Sequence, residues 1–385
     1  MSNQELVNIV LTGDENYVMP IGVAMYSIVK NLSQNKLANF FLIVSGWTEK
    51  EEKEIRKLLN CNITIINVEK YLHYFSNASC KKFKNTYIKS LSPYYRLLIP
   101  KILPDYVDKA FYFDADMVTD ADLSTIYDKI DDNKLCAAVI ELVANKHYKS
   151  VLKHLAKWTE FEKFNLNRLK YPYFNAGFFL LNVKLARQLN IFDDFLNFLQ
   201  IHPNPPYADQ DTLNAICGQK YADKMVYLPL NWNVFTDMSY DIDNYFGVEL
   251  FSHLQLEAAF NKPYVYHYAG PNKPWINSKV QHYWNVWNNY YNLSPFKNDN
   301  NSDVQISWIK ICKFPFIKIK RSKANHTVKT YLFGIFPIYR KYSQKLKIYL
   351  LGIPLLKIKW IKKVYVKIYL FFIIPFICWG KNDIK

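Results

Sequence analysis

The sequence predicts an α/β fold with a mostly parallel β-sheet, and three observations lead to this class. Residues 7–68 show strand, helix, strand, helix and strand patterns in turn, the order of right-handed parallel units. The strand at 40–44 (FFLIV) is a continuous apolar run, as expected of a parallel strand buried on both faces. The strand at 109–113 ends directly at Asp114-Ala115-Asp116, and α/β proteins bind ligands at this carboxyl end of their strands.

The elements follow in order along the chain. An apolar stripe at helical spacing predicts the first helix, and it consists of Ile21, Ala24, Met25, Ile28 and Leu32. Further helices are predicted at 50–59, at about 183–199, and from 208 to 217. Strands are predicted at 7–12, 40–44, 62–68, 109–113, 136–140, 174–181 and 225–230, and a strand at 263–268 closes the sheet pattern.

Composition excludes several classes of protein. The chain has 385 residues, of which 50% are hydrophobic and 21% charged, so it is neither disordered nor a coiled coil. Its six cysteines lack CxxC spacing, which argues against a zinc site and a disulfide framework and favours a reducing compartment. The first residues lack a secretory signal pattern. No segment has the roughly 18 uninterrupted apolar residues of a membrane-spanning helix.

The net charge of +16 comes from the C-terminal part of the chain. Residues 306–385 contain 18 Lys and Arg but one acid, Asp383, whereas the other 305 residues hold 31 basic and 32 acidic side chains. We therefore predict a globular domain at 1–280, a connecting segment at 281–305 and a basic, aromatic tail at 306–385.

The tail contains an internal repeat. YLFGIFPIYRK starts at Tyr331, YLLGIPLLKIK at Tyr349, and a degenerate copy, YLFFIIPF, at Tyr369. Aromatic and aliphatic groups flanked by lysine are typical of interfacial segments, which enter the headgroup region and contact anionic lipid. We predict attachment to an anionic membrane surface, and thus a cytoplasmic protein peripheral on the inner face of the plasma membrane. Nucleic-acid binding and a packed β-repeat with solvated lysines are the alternatives.

The strongest local motif is FYFDADMVTD at 111–120. Asp114 and Asp116 follow the strand at two-residue spacing, and two carboxylates at this edge can share a hard divalent cation that in turn holds phosphate oxygens. The alternative for such a motif alone is an Asx-type turn at a strand end.

Two further polar motifs accompany it. In HYAGPNKPW (267–275), His267 suits a transition-type cation, Gly270 permits close approach of the backbone to phosphate, and Lys273 suits a diphosphate. In YADQDTLN (207–214), Asp209 and Gln210 stand at a predicted helix start. The alternatives are a structural histidine and N-terminal capping of a helix by acids.

These motifs and their order resemble glycosyltransferase family 8, the retaining nucleotide-sugar enzymes that include lipopolysaccharide galactosyl- and glucosyltransferases. The resemblance covers roughly residues 7–280. It is carried by the G-D-x-N-Y pattern at 13–17, YYRLLIP at 94–100, FDAD at 113–116, FNAGFFLLN at 174–182, DQDTLN at 209–214 and HYAGPNKPW at 267–275.

The resemblance implies a GT-A type, Rossmann-like catalytic domain and a role for each matched residue. The metal ligands would be Asp114, Asp116 and His267, with Mn²⁺ favoured and Mg²⁺ as the other candidate. The uridine of a UDP-sugar would bind Thr12, Asp14, Asn16 and Tyr17, and its diphosphate would bind Gly270 and Lys273. The sugar would face Arg96, Asn175, Ala176, Asp209 and Gln210. Ala115 would lie in the donor site beside the metal ligands. The catalytic residues would be Gln210, which stabilises charge near C1 of the sugar, and Asp209, which orients the sugar hydroxyls. Because the amide of Gln210 is a poor nucleophile, attack by the acceptor on the same face of the sugar is favoured over double displacement.

The resulting hypothesis is a metal-dependent, retaining hexosyltransferase. It would use UDP-galactose or UDP-glucose and a glycan or glycolipid acceptor such as lipopolysaccharide core, with no nucleic-acid partner. A metal-dependent nucleotidyl or phosphoryl transferase would need more carboxylates near Asp114 or a phosphate loop, and we find neither in the sequence. A non-catalytic, membrane-bound sugar-nucleotide or glycan-binding protein is the other alternative.

Overall fold

The computed structural model describes residues 4–75, 91–127, 130–142, 172–202, 205, 207–236, 251–270, 273–276 and 283–297, and the backbone of eight strands between 304 and 380. The chain separates into two compact units, Met1–Phe296 and Lys297–Lys385. Among the described residues, no helix combines the length and apolar character needed to cross a bilayer.

A seven-stranded sheet forms the centre of the first unit, in the order β3-β2-β1-β4-β7-β6-β8. Every pairing in it is parallel except the two made by β7, which runs antiparallel to β4 and β6. A three-stranded sheet, β5-β10-β9, accompanies it. The strands are β1 Glu5–Gly13, β2 Lys36–Val44, β3 Cys61–Asn67, β4 Lys109–Phe113, β5 Met117–Thr119, β6 Cys136–Ile140, β7 Phe174–Asn182, β8 Met225–Leu228, β9 Val234–Phe235 and β10 Val265–His267.

The helices of this unit pack against both faces of the central sheet. On one face, Ile21 and Met25 of the first helix meet Ile9 and Phe40, and on the other face Phe195 packs in a cluster with Val10. The α-helices are α1 Val18–Asn31, α2 Glu49–Ile55, α3 Ile99–Ile102, α4 Ser124–Tyr127, α5 Val183–Gln188, α6 Ile191–Ile201, α7 Asp209–Leu213, α8 His253–Asn261 and α9 Trp284–Leu293.

Three predicted elements differ from the structure. The strand expected at 263–268 to close the sheet pattern is β10, which belongs to the small sheet. The helix expected at about 183–199 is divided into α5 and α6, because Asn190 between them adopts a left-handed conformation with φ 54°. The helix expected from 208 continues past α7 as a π-helix, Asn214–Lys220.

The second unit is an eight-stranded antiparallel sheet in which neighbours along the chain are neighbours in space. Each repeat copy covers the end of one strand, a connection and the start of the next. Tyr331, Tyr349 and Tyr369 each pair with a proline at a register shift, and Lys310 pairs with Pro315 in the same way. Proline donates no hydrogen bond to a strand ladder and is tolerated at bulges. The repeat is therefore a β-hairpin, and the structure adds an earlier copy that the sequence comparison missed. The strands are β11 Val304–Ile311, β12 Phe314–Ser322, β13 Thr327–Leu332, β14 Phe336–Tyr342, β15 Lys345–Leu350, β16 Ile353–Ile361, β17 Tyr365–Leu370 and β18 Ile374–Gly380.

Candidate active site

Seven of the residues assigned to donor binding lie at one edge of the central sheet. The parallel strands β1 and β4 end there, and the antiparallel strand β7 begins there, so the ends of β1 and β4 lie beside the start of β7. The backbone N–H of Asp114 donates to the carbonyl of Gly177 at 2.9 Å and fixes this junction. The edge gathers Thr12, Asp14, Asp114, Ala115, Asp116, Asn175 and Ala176.

Asp114, Asp116 and His267 form a candidate metal site. Each offers one ligand atom, and these atoms lie within 4.8 Å of one another. Asp116 Oδ1 is buried without a hydrogen-bond partner, and His267 Nε2 lies 3.4 Å from it. Two carboxylates and an imidazole suit a divalent cation such as Mn²⁺, which would satisfy the unpaired oxygen.

Gly177 keeps the space between these ligands open. A Cβ at this position would lie 2.7 Å from His267 Cε1 and 2.8 Å from Asp114 Oδ2, distances that atoms in contact do not adopt. The cluster therefore has both the donor atoms and the room that a cation needs.

The pKa values of the two carboxylates of this site are shifted in opposite directions. Burial raises the pKa of Asp114, although the Arg96 guanidinium opposes this effect. Burial acts in the same direction on Asp116, but Lys273 and His267 outweigh it and hold the pKa of Asp116 well below its ordinary value. Asp116 is thus the carboxylate that stays ionised most firmly, and Lys273 Nζ pairs with its Oδ2.

Arg96 joins the metal site to the predicted sugar site. Its Nη2 donates to Asp114 Oδ1 at 3.0 Å and its Nε lies 3.0 Å from Asp209 Oδ2, while Nη1 donates to the carbonyl of Ala176. Its guanidinium carbon lies 4.2 Å from the ring centre of Tyr112. Burial raises the pKa of Asp209 to about 7 although Arg96 favours the ionised form. Arg96 is 8% exposed, and the other buried polar residues that the resemblance assigns to the sugar, Asn175 and Asp209, are exposed to a similar extent, 7% and 5%.

Gln210 is held at the start of α7 by groups from β7. Its Oε1 accepts the backbone N–H of Ala176 at 3.0 Å and the side-chain amide of Asn175 at 2.9 Å. Its Nε2 donates to Glu141 Oε2 at 2.6 Å. The structure therefore brings together Gln210, Asn175 and Ala176, as the resemblance implies, and adds Glu141.

The first βα turn carries the residues expected at uridine. Asp14 Oδ1 accepts the backbone N–H of Asn16 at 3.0 Å, and the exposed Asn16 side chain also donates to it. Tyr17 lies edge-on to Trp275 with 6.0 Å between ring centres, and burial raises the pKa of Tyr17 to about 12. Thr12 is buried, and its Oγ1 lies 2.9 Å from the Tyr112 hydroxyl, which donates to Asp114.

The loop after β10 places Gly270 and Lys273. Gly270 has φ +85°, a conformation that L side chains rarely adopt, so this turn requires glycine. Lys273 Nζ also donates to the carbonyl of Tyr268 at 2.8 Å, which directs it back towards Asp116.

Sequence reasoning missed Asn233 and Glu141, which contact predicted site residues directly. Asn233 Oδ1 lies 3.0 Å from His267 Nδ1, and Glu141 contacts Gln210. A signal exists in both cases, since each is a polar residue bordering an apolar stretch, LPLNWNVF at 228–235 and CAAVIEL at 136–142. Their partners are distant in sequence, so the pattern alone assigns them no role.

The sequence matches the family described as Glycosyl transferase family 8 over residues 8–279. Because that match spans most of the chain and includes the site described above, the protein belongs to glycosyltransferase family 8.

Individual relatives agree with this assignment. The chain is 24% identical to lipopolysaccharide 1,2-glucosyltransferase of Escherichia coli K12, over 90% of this chain and 94% of the relative. It is also 24% identical to lipopolysaccharide 1,3-galactosyltransferase of Salmonella typhimurium, over 71% of this chain and 74% of the relative.

Solved structures show that the fold is GT-A. The galactosyltransferase LgtC, in complex with donor and acceptor sugar analogues, superimposes with a TM-score of 0.58 and 21% identity over 75% of this chain and 96% of its own. The apo form of the bifunctional glycosyltransferase WbbM gives a TM-score of 0.60 and 24% identity over 76% of this chain, which spans half (50%) of that longer protein.

Proposed function

We propose that this chain is a divalent-metal-dependent, retaining glycosyltransferase that moves galactose or glucose from a UDP-sugar to a glycan acceptor. The observation that carries the proposal is the cluster of Asp114, Asp116 and His267 at the ligand edge of a family 8 fold. The named relatives include a glucosyltransferase and a galactosyltransferase that act on lipopolysaccharide. Lipopolysaccharide core is therefore the acceptor class we propose.

The leaving group would be stabilised by positive charge. When bound to Asp114, Asp116 and His267, Mn²⁺ or Mg²⁺ would neutralise charge that builds up on the departing UDP. Lys273, which already lies beside Asp116, would add an ammonium on the diphosphate side, and the turn at Gly270 would let backbone N–H groups approach phosphate.

The uridine would lie against the first βα turn. Asp14 and Asn16 offer hydrogen-bonding groups at this turn, and Tyr17 offers a ring for stacking that Trp275 supports edge-on. Thr12 would support the site from below the uridine. Its hydroxyl forms a hydrogen bond with the hydroxyl of Tyr112, which in turn donates a hydrogen bond to Asp114.

The sugar would face Asp209, Gln210, Asn175 and Ala176. Asp209 would orient sugar hydroxyls, and its position is set by Arg96 at 3.0 Å. Gln210 is an amide and a poor nucleophile, so we favour attack of the acceptor hydroxyl on the face that UDP leaves, with the proton passing to the departing phosphate. Gln210 would stabilise positive charge that develops on the sugar ring.

The second unit would attach the enzyme to an anionic membrane. Its register aligns cationic residues at one position in five neighbouring strands: Lys320, Lys329, Arg340, Lys347 and Lys357. An anionic surface would complement this row of positively charged residue types. Each such residue would contribute on the order of 1 kcal/mol to attachment.

The experiment that tests the catalytic proposal measures UDP release with Mn²⁺ across a panel of UDP-sugars. We expect turnover with one donor in the wild type, and its loss in Asp116→Asn and with chelator. Asp223→Asn, at an exposed position 73% accessible, is the matched control and should leave turnover unchanged. Metal-dependent UDP binding without turnover, across donors and acceptors, would favour the non-catalytic binding protein. No UDP binding would refute the proposal.

Membrane attachment is tested separately by flotation of the full chain with vesicles. We expect binding to vesicles containing phosphatidylglycerol but not to phosphatidylcholine alone, and sensitivity to salt. Replacing Lys329, Arg340 and Lys347 together by Gln should weaken binding by about two orders of magnitude, following ~1 kcal/mol per charge. The same replacement of Lys50 and Lys53 on α2 and of Lys57, two residues after its end, is the control. Equal losses in the two triple variants would contradict the assignment.

A further inference from the structure

A line of buried side-chain amides connects the candidate metal ligand His267 to Gln210. His267 Nδ1 lies 3.0 Å from Asn233 Oδ1, Asn233 Nδ2 lies 2.8 Å from Asn175 Oδ1, and Asn175 Nδ2 lies 2.9 Å from Gln210 Oε1. Asn233, Asn175 and His267 are each less than 9% exposed. In such surroundings every donor must meet an acceptor, since unpaired buried polar groups are costly.

Two backbone groups fix the direction of these hydrogen bonds. The N–H of Gly177 points at Asn175 Oδ1 at 2.9 Å, so this atom must be the amide oxygen of Asn175. The N–H of Ala176 fixes Gln210 Oε1 as an oxygen in the same way, at 3.0 Å. Asn233 must then present its NH₂ group to Asn175, which turns its own oxygen towards His267.

The ring of His267 has one arrangement that fits this line. Because Asn233 offers an oxygen, His267 Nδ1 must carry the hydrogen and donate it. The lone pair of a neutral ring is then on Nε2, which lies 3.4 Å from Asp116 Oδ1 within the candidate metal site. Histidine ligands commonly donate their second ring N–H to such a partner, which fixes the tautomer and the ring orientation.

We propose that Asn233 is a positioning residue for metal binding, which holds His267 in the Nδ1–H tautomer so that Nε2 faces the cation. This inference rests on the proposed function, because it takes His267 as a ligand. The competing explanation is that Asn233 fills space and anchors its loop, while the imidazole is held by Phe235. The centres of the two rings are 4.8 Å apart, and the ring planes make an angle of 84°.

The two explanations differ in what they require of residue 233. A positioning residue must accept a hydrogen bond, whereas a space-filling residue needs only the right volume. Asn233→Leu keeps the approximate volume and removes the acceptor. Asn233→Asp keeps an acceptor towards His267 and sacrifices the donor towards Asn175.

Mn²⁺ affinity of the full chain without donor, measured by electron paramagnetic resonance, separates them. We expect Asn233→Leu to bind Mn²⁺ about 10- to 100-fold more weakly, the usual effect of removing such a partner. Asn233→Asp should retain most of the affinity. Asn39→Leu is the matched control, since Asn39 is also a buried asparagine but donates to Asn8 in β1; it should bind Mn²⁺ as the wild type does.

Wild-type affinity in Asn233→Leu, or equal losses in the Leu and Asp variants, would overturn the proposal. The tautomer has its own readout: nitrogen-15 NMR of the imidazole at alkaline pH, where a histidine ring is neutral. We expect His267 to carry its hydrogen on Nδ1 and to lose this preference in Asn233→Leu. A hydrogen on Nε2 in the wild type would overturn the proposal even if Mn²⁺ binds. Absence of divalent-cation binding with the expected tautomer would instead refute the metal-dependent function.

Discussion

Arg96 and Asp209 form a buried ion pair, with 3.0 Å between Nε and Oδ2 and with both side chains less than 9% exposed. The same guanidinium donates to Asp114. The guanidinium of Arg96 thus pairs with a carboxylate of the candidate metal site and with a carboxylate of the candidate sugar site.

Replacing Arg96 by Leu should therefore be strongly destabilising. Removing one partner of a buried pair leaves a carboxylate uncompensated and costs about 3–5 kcal/mol. Urea denaturation measures this change in the free energy of unfolding. Lys57→Met, which removes an exposed pair with Glu54, is the control and should cost less than about 1 kcal/mol. Similar costs for the two variants would show that the Arg96 pairs contribute little.

Gly177→Ala should block the candidate metal site while leaving the fold intact. The added Cβ would lie within 3 Å of His267 Cε1 and Asp114 Oδ2, and overpacking of this kind costs about 1–3 kcal/mol. We expect Mn²⁺ binding to be lost in calorimetry. Gly218→Ala is the control, because its nearest contact is 3.3 Å and it is far from the ligands in sequence and element. Undiminished Mn²⁺ affinity in Gly177→Ala would place the cation elsewhere.

Glu141→Ala should lower kcat without changing Mn²⁺ affinity. Glu141 Oε2 accepts from Gln210 Nε2, and hydrogen bonds to charged groups are worth about 1.5–3 kcal/mol, which corresponds to a loss of roughly 10- to 150-fold. Steady-state kinetics with the identified donor measures this loss. Glu141→Gln keeps an acceptor oxygen and should lie between Ala and wild type. A changed Mn²⁺ affinity with normal kcat would contradict a role through Gln210.

Asp211→Asn should flatten the pH dependence of stability. Burial raises the pKa of Asp211 to about 7, although hydrogen bonds from Tyr173 and from the backbone of Tyr207 oppose the shift. Between the unfolded pKa, about 4, and about pH 7 the folded chain holds a proton that the unfolded chain releases. Its contribution to stability is therefore present at low pH and is lost as pH rises through this window.

Urea denaturation at a series of pH values tests this sign. We expect the variant to lack up to ~1.4 kcal/mol per pH unit of the wild-type slope, the value for one proton. Asp209, whose pKa is also raised to about 7, titrates in the same window and should leave a residual slope. Parallel curves for wild type and variant would show that Asp211 is ionised throughout.

The succession of strands and helices along the chain and the strand end that carries the Asp114–Asp116 motif follow from the sequence because both are local. The apolar run at 40–44 indicates a buried strand, and the Asp114–Asp116 motif indicates the end of one. The direction of β7 is a different matter, because an apolar run reads alike in either direction. Asn190 likewise interrupts a helical stripe that continues beyond it, and its left-handed backbone leaves no mark in the apolar pattern.

Contacts between residues that are distant in sequence could not be predicted from the sequence either. The pairing of Arg96 with Asp209 depends on how α7 meets the segment at 92–98, and the hydrogen bond between Asn233 and His267 depends on the small sheet. The sequence motifs name many of the residues at the site, whereas their mutual hydrogen bonds appear only in three dimensions. Thr12 illustrates this, since its hydroxyl meets Tyr112.

The ligands of the candidate metal site come from two different sheets. Asp114 follows β4 of the central sheet, whereas His267 ends β10 of the three-stranded sheet. A cation bound by both would act as a cross-link, so the small sheet could not separate without breaking coordination. Amide hydrogens of β9 and β10 that exchange through this separation would then exchange more slowly in proportion to the ratio of cation concentration to Kd. The ion would determine how rigid half of its own binding site is.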